Sequence, residues 1–192
     1  MNQQLIKNNT SYLEIKKSQF YGYVFKVTSL TEDNNYLTEI RKQHPKATHV
    51  CFAYIINHNG VYAKYDDDNE PSKTSGYAIY NLLMQMHLVN ILAISVRYYG
   101  HIKLGASGLI HAYSTSIKLC CENNIEPYHE QYCYTCEFGY NCQKEINYWL
   151  SNEHALIVNK EFLATSICYE LSCDHLLTNN FNFSCKLTLK KQ

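Results

Sequence analysis

The chain has 192 residues, 46% of them hydrophobic and 18% charged, with 17 Lys and Arg balanced by 17 Asp and Glu. That composition, with seven glycines and three prolines, excludes a low-complexity disordered chain, and the charge balance excludes the broad basic field of a non-specific duplex binder. No run of 18 apolar residues exists and "MNQQLIKNNT" lacks the apolar core of a signal peptide, so a cytoplasmic location without membrane contact is expected, in one large or two small domains.

In chain order, Tyr12 to Ser29 alternate and are rich in aromatic and branched residues, which predicts one or two strands. A helix follows, with Thr31 as its cap, Tyr36, Leu37 and Ile40 spacing its apolar face, and His44-Pro45-Lys46 as its stop. "THVCFAYIINHNGVYAKYDDD" then places two apolar runs around His58, Asn59 and Gly60, a hairpin signal because Asn-Gly supplies positive φ. From about Ser75 to His87, Ile79, Leu82, Leu83 and Met86 fall at helical spacing. Ile91 to Tyr98, uncharged but for Arg97, read as a strand buried on both faces. Leu109, Ala112, Tyr113, Ser116, Ile117 and Cys120 trace the next helix, for which Ser107 is the expected N-cap.

The polar, proline-containing "ENNIEPYHE" marks a boundary and predicts domains at 1–124 and 125–192. Beyond it, strand "YCYTCEF", a helix around Gln143 to Leu150, strands "ALIVNK" and "LATSICYE", a short helix "CDHLLTN" and strand "NFSCKLTLK" give the β-α-β-β-α-β order of a ferredoxin-like domain. The fold class is therefore α+β. Nine cysteines, an odd number without a secretory signal, argue against a disulfide scaffold. Cys133 and Cys136 form a C-x-x-C, but residues three apart on a strand point to opposite faces, and Cys142 adds only a third thiol, so no metal site is expected.

Two stretches carry chemistry. In "ISVRYYGHIKLGASGLIHAY", Arg97, His101 and Lys103 and the glycines at 100, 105 and 108 lie at a strand-to-helix corner. Helix starts offer unpaired N–H groups and a favourable dipole to anions, so phosphate or carboxylate is the natural ligand if the corner is more than a turn. It is neither a Walker A loop nor a G-x-G-x-x-G. Asp66, Asp67, Asp68 and Glu70 form an acidic run without the glycine and distal glutamate of a calcium loop. His49 and Cys51 share a strand face but have no third residue to orient them as a catalytic pair. Tyr98 and Tyr99 could stack on a base, although the chain has 18 tyrosines.

"DDDNEPSKTSG" and "ISVRYYGHIKLGASGLIHAYS" together resemble the signature of the YigZ/IMPACT family, approximately D-D-G-E-P-x-G-T-A-G and V-V-R-Y-F-G-G-x-x-L-G-x-G-G-L-x-x-A-Y. The resemblance covers about residues 15 to 122, and the tail is similar to the smaller C-terminal domain of the bacterial two-domain branch. It implies a first domain with the fold of the second domain of a small-subunit ribosomal protein, and a ferredoxin-like second domain similar to the last domain of elongation factor G. It further implies a link to translation, which eukaryotic relatives regulate under starvation stress, and bacterial relatives associated with nucleic acid or ribosomes. By the pattern, the residues of interest are Asp67, Asp68, Glu70, Pro71, Thr74, Gly76, Arg97, Tyr98, Gly100, Leu104, Gly105, Gly108 and Tyr113, joined by His101 and Lys103 of the corner, with Lys73 and His101 as side-chain donors in place of bare amides. Asn69, Lys73, His101 and Ser107 stand where the pattern has glycine.

The expected function is a non-enzymatic cytoplasmic factor, monomer or weak dimer, that binds RNA, the ribosome or a translation-associated protein through the 66–76 loop and the 97–108 corner. No cofactor, metal or catalytic residue is expected. The alternatives are a hydrolase or transferase acting on a phosphorylated or peptide substrate at that face, with Asp67, Asp68 or Glu70 as acid, base or ligand, and a module that pairs a partner with a ferredoxin-like sheet edge.

Overall fold

The computed structural model describes residues 1–57, 61–178 and 185–190. The chain forms two compact units, Met1–Tyr128 and His129–Gln192.

In the first unit, β1 (Gln3–Leu5) is followed by the hairpin β2 (Asn9–Ile15) and β3 (Ser18–Lys26), α1 (Leu30–Gln43), β4 (His49–Asn57), β5 (Val61–Asp66), α2 (Gly76–Gln85), β6 (Ile91–Tyr98), α3 (Gly105–Cys121) and β7 (Ile125–Pro127). A five-stranded, wholly antiparallel sheet has the order β2-β3-β6-β4-β5. The predicted turn at 58–60 lies outside the described residues. The doubly buried strand expected from its uncharged run is the central β6, and its period-two alternation divides the core between the sheet's two faces. Ile91 and Ala93 face α2 and α3 with Phe20, Cys51, Ile79, Leu83, Leu109 and Tyr113. Leu92, Ile94 and Val96 cluster with Val50, Phe52 and Ile40 of α1 on the other face. Each fully buried Ile or Leu contributes about 1.5–3 kcal/mol relative to exposure.

Three differences from the sequence reading have local causes. α1 is capped by Ser29, whose hydroxyl accepts the Glu32 N–H at 3.4 Å while the Glu32 carboxylate returns to the Thr28 N–H at 2.7 Å; Thr31 lies inside the helix. α3 begins at Gly105, two residues ahead of Ser107, with Leu104 in the cap position and no side-chain cap. Residues 125–127, assigned to the second domain from sequence, pair antiparallel with residues 3–5 and belong to the first unit.

The second unit contains β8 (Tyr132–Gly139), α4 (Gln143–Asn152), β9 (Leu156–Phe162), β10 (Ser166–Cys173) and β11 (Cys185–Lys190), in an antiparallel sheet of order β11-β8-β10-β9. Tyr134, Cys136, Phe138, Ile167, Tyr169 and Leu171 pack with Ile146 and Leu150 of α4. The helix predicted over "CDHLLTN" is not formed through residue 178: Cys173 ends β10, Asp174 and His175 form a bend, and 176–178 are irregular. Only one of its leucines is buried, Leu177, whose N–H donates to Tyr134 Oη at 3.0 Å. No helix among the described residues is long and apolar enough to cross a membrane.

Replacing Ser29 with Ala is expected to lower stability by about 1 kcal/mol in urea unfolding, whereas Thr31→Ala should stay within about 0.5 kcal/mol of the parent.

Candidate functional site

Residues 67–75 connect β5 to α2, and residues 99–104 connect β6 to α3. They meet through one ion pair. Arg97 shares the α3-facing side of β6 with Ile91 and Ala93, and its Nη1 donates to Glu70 Oε1 at 2.6 Å. Their side chains are 6% and 3% exposed, so the pair is shielded from water. Tyr113 of α3 donates its hydroxyl to the same oxygen at 2.7 Å. Burial drives the Tyr113 phenol far above its usual value, which keeps that proton in place. Arg97 Nη2 lies 3.5 Å from Ser18 Oγ, which also accepts the Gly100 N–H at 3.1 Å. The guanidinium sits 5.7 Å from the Phe20 ring and 5.3 Å from the Tyr99 ring, and its Nε is buried without a partner.

The aspartates shape the loop. Asp67 accepts from the N–H groups of Lys73 (2.8 Å), Ser75 (3.2 Å) and Tyr77 (3.3 Å) and from Ser75 Oγ (2.8 Å). Burial pushes its carboxyl up, but these donors outweigh burial and hold it below the usual carboxylate range. Asp68 Oδ2 takes the Val50 N–H at 2.6 Å, and its Oδ1 lies 3.5 Å from Arg41 Nη2. The Asp68 carbonyl accepts from His49 Nδ1 at 2.8 Å, and His49 Nε2 lies 3.7 Å from Glu70 Oε1. Thr74 Oγ1 donates to the Pro71 carbonyl at 2.6 Å.

Above the ion pair lies a cleft of about 530 Å³, lined by Thr48, His49, Glu70, Pro71, Arg97, Tyr99, Lys103, Leu104, Gly105, Ala106 and Leu109. The start of α3 opens on it with no side-chain cap and no acidic residue in its first turn, so the positive end of the helix dipole is left uncompensated there.

Of the residues singled out from sequence, Glu70, Pro71, Arg97, Lys103 and Gly105 line the cleft, with Leu104 beside them. Asp67, Asp68, Thr74 and Gly76 lie behind it and fix the path of the loop. A Cβ on Gly76 would overlap the Asp66 carbonyl, and one on Gly100 would overlap the Lys17 backbone, so both are close-approach positions. Gly105 has φ of +73° with open space around it, and there the backbone angle is what calls for glycine. Gly108, one turn into α3, has its hypothetical Cβ 3.1 Å from Leu104 Cβ. His101 is exposed, its ring 5.4 Å from Tyr99.

Tyr98 does not join the site. Next to Arg97 on a strand, it faces the opposite way and bonds through its hydroxyl to His44 Nδ1 at 2.9 Å, in an aromatic cluster with Tyr21 and Tyr23. Cys51 shares a face with His49, but it is buried, its Sγ lies 3.2 Å from the Asp67 carbonyl, and burial pushes its thiol up to about 12, which favours the thiol over the thiolate. Ser18 and Thr48 reach the site without any signal in the sequence; Tyr99 was legible only as an aromatic neighbour of Arg97.

The positions where the family pattern carries glycine have a conformational explanation. Asn69, Lys73 and His101 all adopt positive φ, at 65°, 65° and 60°. The chain keeps the left-handed path with residues that strain it. Ser107, inside α3, does not share this feature.

The sequence profile described as the Impact N-terminal domain matches residues 16–121. The IMPACT family member YvyE of Bacillus subtilis (strain 168) is 42% identical over 103 residues, which cover 54% of this chain and 48% of that protein. The IMPACT family member YigZ of Escherichia coli (strain K12) is 33% identical over 106 residues, covering 54% and 52%. The chain thus spans about half the length of these curated relatives. Among solved structures, a crystal structure described as that of an hypothetical protein is 26% identical, with a TM-score of 0.65 over 90% of this chain and 85% of that one.

Glu70→Gln leaves a buried arginine without its counter-charge and is expected to cost about 3–5 kcal/mol in urea unfolding, while the double variant Glu70→Leu/Arg97→Met should lose much less than the sum of its single changes. Lys73→Gly, which relieves a left-handed residue, is expected to raise stability by about 0.5–1 kcal/mol in the same measurement.

Proposed function

The chain belongs to the Impact N-terminal domain family, and from that premise we propose that it is a non-enzymatic factor in the regulation of translation whose cleft engages single-stranded RNA. The observation that carries this reading is the division of labour in the cleft. The reactive-looking groups in the cleft and beside it are already committed: Glu70 to Arg97 and Tyr113, Asp67 and Asp68 to backbone N–H groups, and Cys51 to the core. What faces outward is the exposed Lys103, the uncapped start of α3 and the partly exposed ring of Tyr99. A cation and helix N–H groups suit a phosphate, and an aromatic ring beside them suits an unstacked base. The backbone of Lys17, in the turn between β2 and β3, packs against Gly100 and holds the corner in place. Such a footprint is local, as the zero net charge requires.

The finer fold reading supports the same context. The strand order of the second unit, with α4 crossing between β8 and β9, fits a ferredoxin-like arrangement whose second helix position is irregular through residue 178. The antiparallel sheet of the first unit, with α2 and α3 on one face, is compatible with the ribosomal-protein type of domain.

Fluorescence anisotropy with a labelled single-stranded RNA, titrated across salt concentrations, tests the proposal. The affinity should fall with salt by a log–log slope of about −0.7 per phosphate neutralised, Lys103→Ala should make that slope shallower, and Tyr99→Ala should weaken binding several-fold without changing it. Absence of RNA binding, together with a lysate partner retained after nuclease treatment, would overturn it in favour of a protein ligand.

A further inference from the structure

We infer that Cys136 and Cys185 form a reversible dithiol–disulfide site that joins the edge strand β11 to its neighbour β8. Their sulfurs lie 3.2 Å apart in the thiol state, closer than two non-bonded sulfurs normally rest. A disulfide needs about 2.05 Å, so closure requires roughly 1.2 Å of further approach. Both residues stand on the core-facing side of the sheet. Cys136 is registered opposite Leu187 and Cys185 opposite Phe138, which makes them diagonal neighbours on adjacent strands, 49 residues apart in the chain.

The two thiols are not equivalent, and the asymmetry defines an order of reaction. Cys136 is fully buried, whereas Cys185, at the first position of an edge strand, is partly exposed. The contact with Cys136 draws the Cys185 thiol below its usual value, and the same contact, with burial, drives Cys136 up. Cys185 is thus the entry thiol and Cys136 the resolving one.

With a small-molecule disulfide such as oxidised glutathione, the steps balance as follows. The Cys185 thiolate attacks one glutathione sulfur, the glutathione disulfide bond breaks, and one glutathione leaves as thiolate and takes up a proton. Cys136 then attacks the Cys185 sulfur, the bond from Cys185 to glutathione breaks, and the Cys136 proton passes to the second glutathione, which leaves as a thiol. Two protein thiols are oxidised to one disulfide while one oxidised glutathione is reduced to two thiols.

Four of the seven other cysteines supply internal controls. Cys51, Cys120 and Cys121 are buried, with thiols pushed up by burial to about 12, 11 and 12. Cys133 lies on β8 but three residues from Cys136, on the other face of the sheet.

The full chain is exposed to oxidised glutathione, quenched in acid, alkylated, and read by intact mass and peptide mapping. The expected product has lost two hydrogens, carries no glutathione, yields a linked peptide pair containing Cys136 and Cys185, and reverts with dithiothreitol. Cys136→Ser should stop at a stable glutathione adduct on Cys185, and Cys185→Ser should leave Cys136 unmodified. A wild-type protein that accumulates the adduct without closing, links other cysteines, or stays fully reduced would overturn the inference. Because the wild-type map decides the matter alone, a variant that fails to fold does not compromise the test.

Discussion

The contact between Arg97 and Glu70 is the constraint on which the candidate site depends. A charged pair removed from water loses several kcal/mol of hydration per ion, and mutual attraction offsets that only when geometry and additional hydrogen bonds are good. Here Tyr113 supplies a second donor to the same carboxylate oxygen, Ser18 flanks the guanidinium, and Phe20 and Tyr99 lie within 6 Å of it. A partner missing on either side would leave a bare charge inside the fold. The loop after β5 and the corner after β6 are therefore bound to one arrangement, although 27 residues separate the paired side chains.

That arrangement reassigns the residues that look chemical in the sequence. An acidic run invites a metal or an acid–base role, yet each aspartate is engaged locally: Asp66 accepts the Asp68 N–H, Asp67 gathers the amides that turn the chain into α2, and Asp68 accepts the Val50 N–H at the start of β4. The same logic covers the left-handed residues. Asn69, Lys73 and His101 hold backbone angles that glycine adopts freely, and their side chains are exposed, so the strain is confined to the backbone and crowds nothing in the core. What the loop preserves is its path.

Much of this is legible in the residue pattern. The uncharged run from Ile91 to Tyr98 marked the central strand, and helical spacing named the buried stripe of α3 and, in α2, Ile79 and Leu83, with Leu82 and Met86 only half-buried, because burial on a sheet leaves a direct imprint on residue pattern. Alternation also contained the answer for Tyr98, since a strand neighbour of Arg97 has to face the opposite way; the family pattern, which counts residues without regard to face, obscured it. The caps were harder. Ser29 and Thr31 are both acceptable N-caps, and only the return of Glu32 to Thr28 selects Ser29. "CDHLLTN" misled because two adjacent leucines suggest an apolar face, whereas the structure buries one and exposes the other. Ser18 and Thr48 were invisible because their roles arise from strand pairing across 79 and 51 residues, a distance no local pattern encodes.

A cleft fixed in this way has a thermodynamic consequence for binding. Ordering loops and side chains around a ligand costs about 0.5–1.5 kcal/mol per immobilised side chain, and a site that is already ordered avoids most of that cost. Glu70, Arg97 and the amides around Asp67 are held by one another before any ligand arrives, so affinity can rest on few outward groups. Lys103, the start of α3 and Tyr99 are few, and the chain as a whole is neutral. On the proposed reading, a neutral protein with one outward cation at its cleft would discriminate by shape and by the placement of one or two anionic groups, whereas a basic protein attracts any polyanion through its field. Under the RNA-binding proposal, the buried pair would act on recognition through architecture: with the arginine's charge matched by Glu70, selectivity would rest on the geometry of the rim.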